Sequence, residues 1–167
     1  MLNKKSLFNI VYAIALIGAV SACVSFLSEF LNVAQLHGIN VTGTYTFDGK
    51  GFWIPLLYYF FAFVICTFAA TMVILHILNV LKDRSMVNIS IIVACGIVFL
   101  MSLVLICFIR YYNDHYQYYS LSYYRYLINY TFRSGALSFI ANMGIILFCN
   151  IIDSKVQANL IKTQENN

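Results

Sequence analysis

The chain has 167 residues, room for one domain, and is 62% hydrophobic but only 10% charged. Soluble domains carry about 25% charged residues, and a fold this small has too much surface for its volume to hide so much apolar area from water. The net charge of +4 comes from ten scattered Lys and Arg, without a basic stripe interleaved with aromatics, so nucleic acid is excluded as a partner.

Lipid is the solvent that accommodates this composition. The apolar runs are long, continuous and not alternating, which predicts helices and not barrel strands. The expected fold is all-α, an integral membrane four-helix bundle with a short tyrosine-striped outer helix between spans three and four.

The first span covers about 8–35, behind Lys4 and Lys5. A polar Gly/Thr-rich loop follows, and Phe52, Trp53 and Pro55 open the second span, about 53–81. Trp suits the headgroup level, and Pro is tolerated in a first helical turn. At about 1.5 Å per residue this run reaches roughly 43 Å, beyond the roughly 30 Å hydrocarbon core, so it predicts tilt or a protruding end. Lys82-Asp83-Arg84-Ser85 forms a tight connection to the third span, about 86–109, closed by Arg110. The fourth span is short, about 136–152, closed by Asp153, and the tail 154–167 is polar and expected to be poorly ordered.

An inside N-terminus puts Lys4, Lys5, Lys82, Arg84, Lys155 and Lys162 on the inner side, against Lys50, Arg110, Arg125 and Arg133 outside. This bias predicts a plasma-membrane protein with both termini cytoplasmic. A competing reading of the start is a signal peptide: Val20-Ser21-Ala22-Cys23 resembles a bacterial lipobox. Val24, Phe26, Leu27, Phe30 and Leu31 continue the apolar run past it, where a mature lipoprotein continues with a polar tether, so the uncleaved reading is preferred. The five cysteines all fall inside apolar segments, which argues against a disulfide-stapled ectodomain and for small core hydrophobes.

Each span carries small or polar residues at helical spacing. The sets are Gly18, Ser21, Ala22, Ser25, Ser28, Glu29 and Asn32; Thr67, Ala70 and Thr71; Asn88, Cys95 and Ser102; and Ser138, Asn142 and Cys149. Polar groups facing lipid are costly, so these faces are expected to turn toward protein as bundle seams. Ser21, Ser25, Glu29 and Asn142 are the intramembrane polar candidates for a pathway or ligand cavity. No Asp, Glu, Lys, Arg or His falls at mid-depth, where proton-coupled pumps and charged-substrate transporters commonly keep one.

The segment 111–131 is the most distinctive. Nine of the thirteen tyrosines lie there, and Tyr112, Tyr116, Tyr119, Tyr123, Tyr126 and Tyr130 step as one helical face. Tyrosine suits a membrane interface, and Tyr with Arg is enriched at binding hot spots, so Tyr112, Tyr116, Tyr119, Tyr123, Tyr126 and Arg125 are the interface candidates. Asn40-Val-Thr and Asn129-Tyr-Thr are glycosylation acceptor triplets on the same expected outer side.

His37, His76 and His115 are far apart, and the chain has neither a Gly-x-Ser-x-Gly nor a phosphate-cradling Gly-rich loop. No catalytic residue, metal ligand or cofactor is therefore assigned. The expectation is a non-enzymatic multi-pass membrane protein whose partners are the bilayer and either another protein or a second copy of itself. The alternatives are a small oligomeric channel or transporter, and a membrane-embedded enzyme with a site assembled across helices. Intact mass spectrometry of the extracted protein is expected to give a chain beginning at Met1; a mass beginning at a lipidated Cys23 would leave three spans and reverse the N-terminus.

Overall fold

The computed structural model describes residues 4–40, 49–116 and 135–165, with side chains over 8–33, 53–111 and 135–156. It contains four long helices: α1 (Lys4–Asn40), α2 (Gly49–Ile77), α3 (Arg84–Tyr116) and α4 (Ser138–Glu165). A π-helical turn at 135–137 leads into α4. Four stretches are long and apolar enough to cross a membrane: Phe8–Val33, Trp53–Ile77, Arg84–Tyr111 and Gly135–Val156.

The helices pack in a closed cycle, α1 on α2, α2 on α3, α3 on α4 and α4 on α1. Each does so through one face repeating every three or four residues. In α1 the buried series is Ala15, Ala19, Ala22, Phe26, Glu29 and Val33; in α2 it is Pro55, Tyr59, Ala62, Cys66, Ala69 and Val73. In α3 it is Val87, Ile91, Ala94, Val98, Ser102, Leu105 and Ile109; in α4 it is Ala136, Phe139, Met143, Ile146 and Asn150. This alternating three-four spacing is the pattern of bundle packing, where side chains of one helix enter holes on the next. The opposite faces are apolar and outward, as with Ile17 (70% exposed) and Val104 (66% exposed). In lipid such faces gain nothing by burial, so close packing and interhelical hydrogen bonds hold the bundle together.

Alanine dominates the α1 and α2 seams and lets the backbones approach. At Gly18 the approach is closest: a Cβ there would sit 2.5 Å from Asn142 Oδ1. Near the other end of the same seam, a Cβ on Gly135 would sit 2.8 Å from the Phe26 ring. Phe26 in turn meets Tyr58 edge-on, with ring centroids 6.1 Å apart. The Tyr58 hydroxyl lies 2.7 Å from Ser102 Oγ, and Ser102 gives its proton to the Val98 carbonyl at 2.7 Å. Tyr58 is therefore the donor to Ser102, and α2 is tied to α3 inside the membrane.

Several boundaries differ from those read off the sequence. The second helix stops at Ile77 and not at Leu81, because Asn79 adopts φ 57°, a conformation Asn tolerates better than most residues. The Asn79 amide donates to the His76 carbonyl and the Val80 amide to the Leu75 carbonyl, the paired bonds of a Schellman end. Asp83 then caps α3, its Oδ1 accepting from the Ser85 amide at 2.9 Å. Pro55 lies inside α2 and not in its first turn, at the cost of the intrahelical bond to the Gly51 carbonyl. The tail expected to be poorly ordered continues α4 as helix to Glu165. Residues 154–165 contain no Gly or Pro to stop it, and the Ser154 hydroxyl bonds to the Asn150 carbonyl at 2.8 Å.

The inward polar faces are also corrected. Ser21, Ser28 and Asn32 point outward, as do Thr67 and Thr71. The buried face of α1 is rotated by about one position from the serine row, toward the alanines. Thr71 tolerates its outward position by bonding to its own helix, its Oγ1 donating to the Thr67 carbonyl at 2.8 Å, as the half-buried Ser25 Oγ does to the Ser21 carbonyl at 3.1 Å.

Replacing Gly18 by Leu is expected to destabilise the bundle by about 1–3 kcal/mol through overpacking against Asn142. Unfolding in mixed detergent-lipid bicelles would measure it. The same change in an Asn142→Ala background should cost less, and an equal cost in both backgrounds would refute the Gly18–Asn142 contact.

Candidate functional site

One end of the bundle gathers a cluster of polar side chains. It carries the start of α1 behind Lys4 and Lys5, the α2–α3 turn with Lys82, and Lys155 on α4. A cavity of about 560 Å³ opens here between all four helices. Its polar lining is Asn9, Tyr12, His76, Asn79, Arg84, Asn150 and Asp153, and its apolar wall is Phe8, Ala13, Leu16 and Ile77. Phe8 begins one span, Ile77 ends the second and Arg84 begins the third, so the cavity sits where the apolar segments give way to the headgroup layer.

The polar lining is held in place by a connected set of bonds. Arg84 pairs with Asp153 at 2.8 Å and donates to Ser154 Oγ at 3.2 Å, joining α3 to α4. Asn150, 5% exposed, donates from Nδ2 to Asn88 Oδ1 at 2.9 Å and joins the same two helices one turn deeper. Tyr12 brings α1 to the same cavity, its half-buried ring lining the wall with Asn150. His76 Nδ1 lies 2.8 Å from the Leu81 carbonyl. A carbonyl can only accept, so Nδ1 carries the proton and the ring ties the end of α2 to the turn.

The intramembrane candidates are not brought together. Glu29 is buried near the opposite end of α1, where its Oε1 accepts from Asn32 Nδ2 at 3.3 Å. Asn142 is half-buried at mid-depth, donating from Nδ2 to the Ser138 carbonyl at 2.7 Å while its amide fills the space left by Gly18. Ser25 is half-buried and Ser21 exposed, so the four residues do not line one path. Tyr112 and Tyr116 belong to the backbone of α3, which runs on past Arg110. Their side chains, and all of Tyr119, Tyr123, Tyr126 and Arg125, lie outside the described residues.

The sequence reading missed Tyr12, Asn150 and the Arg84–Asp153 pair. A signal existed for the pair, because Arg84 opens the third span and Asp153 stands near the end of the fourth on the same side; none existed for Tyr12. It also left unpaired in its reading two cysteines that the structure buries on neighbouring helices, Cys23 on α1 and Cys66 on α2. Cys107, by contrast, is exposed on the outer face of α3 and not a core residue. At the opposite end, an apolar groove of about 310 Å³ runs between α2 and α3, lined by Leu57, Phe61, Leu100 and Val104 among others.

The chain matches no known protein family, no curated protein and no solved structure. The site is therefore read from its own chemistry: a fixed guanidinium, a histidine, a phenol and several amides facing an amphipathic cavity at interface depth.

In a double-mutant cycle, Asn88→Ala and Asn150→Ala are expected to show a coupling of about 0.6 kcal/mol and at most about 1.7. Unfolding in bicelles gives the four stabilities required. Strict additivity would mean that the Asn88–Asn150 bond does not join α3 to α4.

Proposed function

We propose that this is a non-enzymatic multi-pass protein of the plasma membrane, with both termini cytoplasmic, that acts through contacts. It serves as an accessory, assembly or immunity-type subunit and engages a partner membrane protein. The observation that carries this reading is the filled interior at mid-depth. Ala19, Ala22, Cys66, Ala69, Ala94, Val98, Met143 and Ile146 close the centre of the bundle with apolar groups. A path for ions or polar substrates needs water or polar ligands along its length. The surfaces left to act are the two ends and the outer faces. The expected tyrosine face at 111–131 adds rigid aromatic groups with polar tips, suited to a partner at the membrane surface.

A second reading, a small oligomeric channel, is favoured by one observation. The hydroxyls of Ser21, Ser28, Thr67 and Thr71 face outward from the monomer, where a pore between copies would place them. Ion or solute flux into liposomes holding the wild type would be its signature; its absence ends this reading.

For the leading proposal, the test is extraction into native nanodiscs followed by mass spectrometry of what co-purifies. A stoichiometric partner protein is expected. Replacing Tyr116, Tyr119 and Tyr123 by Ala should lower its recovery by about tenfold, the loss of roughly 1.4 kcal/mol. Undiminished recovery would remove the tyrosine face from the proposal.

A further inference from the structure

The cavity at the lysine-rich end has a chemistry of its own, independent of any partner protein. Three features meet there. Its depth is that of the lipid headgroups, since it lies where the four apolar spans end. Its surroundings are basic: Lys82, Arg84 and Lys155 stand against Asp83 and Asp153 at this end of α3 and α4. Its lining is two-sided, with hydrogen-bonding groups on one wall and Phe8, Leu16 and Ile77 on the other.

We propose that this cavity binds the phosphate of an anionic lipid headgroup, with the acyl chains leaving along Phe8, Leu16 and Ile77. Arg84 is the central phosphate ligand. A guanidinium has five N–H donors in a planar fork suited to phosphate oxygens, and the bonds to Asp153 and Ser154 engage two of them. Those two bonds fix the fork before a ligand arrives, so little side-chain entropy is lost on binding. Asp153 does not turn the site toward cations, because its Oδ2 is already held by Arg84. The side-chain amides of Asn9 and Asn79 supply further donors at the rim. Arg84 is also the first residue of α3, and a helix N-terminus favours an anion. The cavity volume of about 560 Å³ lies within the roughly 300–1,000 Å³ usual for small-ligand sites, ample for a glycerophosphate headgroup.

A soluble phosphate shares the headgroup's chemistry but has no use for the apolar wall. Ile77 is 48% exposed at the cavity mouth, a position that costs nothing in lipid and suits the first methylenes of an acyl chain. Basic pockets between spans at the cytoplasmic surface are known sites for phosphorylated lipid headgroups.

The experiment is native mass spectrometry of the full chain released from nanodiscs containing equal phosphatidylglycerol and phosphatidylcholine. Wild type is expected to retain phosphatidylglycerol about tenfold over phosphatidylcholine, the order expected of charge-assisted hydrogen bonds. The double variant R84Q/D153N removes both members of the ion pair and keeps the net charge, and it should lose this preference. K155Q removes one positive charge outside the cavity and should keep the preference within about twofold. Equal loss in K155Q, or full retention in R84Q/D153N, would make the preference a property of diffuse surface charge and overturn the site. Displacement of the bound lipid by millimolar glycerol 1-phosphate would show that the phosphate alone suffices and overturn the lipid as occupant. Circular dichroism of each variant, with a thermal midpoint near wild type, separates loss of binding from loss of fold.

Discussion

A polar group inside hydrocarbon must find its hydrogen-bond partner within the protein, because the solvent supplies none. That constraint is visible in the polar side chains described for this bundle. Ser25 and Thr71 return to their own helices. Ser102 accepts from the Tyr58 hydroxyl of the next helix, and Asn88 accepts from Asn150. Among the described residues, no buried side-chain nitrogen or oxygen is left without a partner. Groups satisfied within their helix are free to face lipid, and those satisfied across a seam lock two helices together.

The cross-helix bonds between described residues are unevenly placed. The α1–α4 seam relies on shape, with Gly18 admitting Asn142 and Gly135 admitting Phe26. The α3–α4 seam relies on polar links concentrated at the lysine-rich end, where Arg84, Asp153, Asn88 and Asn150 cluster. The middle of the bundle is closed by mainly apolar side chains, with the Asn142 amide filling the space at Gly18. This distribution leaves one end with a fixed, two-sided cavity and makes that end the natural place for a ligand.

The turn between α2 and α3 ties the fold to this cavity. Asn79 in its left-handed conformation ends α2, His76 holds the Leu81 carbonyl, and Asp83 starts α3. Together these bonds bring Arg84 to the cavity wall within a few residues of His76. A longer or looser turn would leave Arg84 without a set direction toward Asp153.

The four apolar spans were legible in the residues themselves, because hydropathy and charge act locally along the chain; the break between spans two and three was legible too, but the turn falls at 78–83, with Arg84 and Ser85 already in α3. The inward face of α1 was not legible. Polarity pointed to the serine row, but the neighbouring helices chose Ala15, Ala19, Ala22 and Phe26, because close approach rewards small side chains more than hydroxyls that can bond to their own backbone. Tyr12, Arg84, Asn150 and Asp153 lie far apart in sequence and share no motif. Only the closing of four helices into a ring sets them around one cavity, since which faces meet depends on packing between helices and not on the pattern within any one of them.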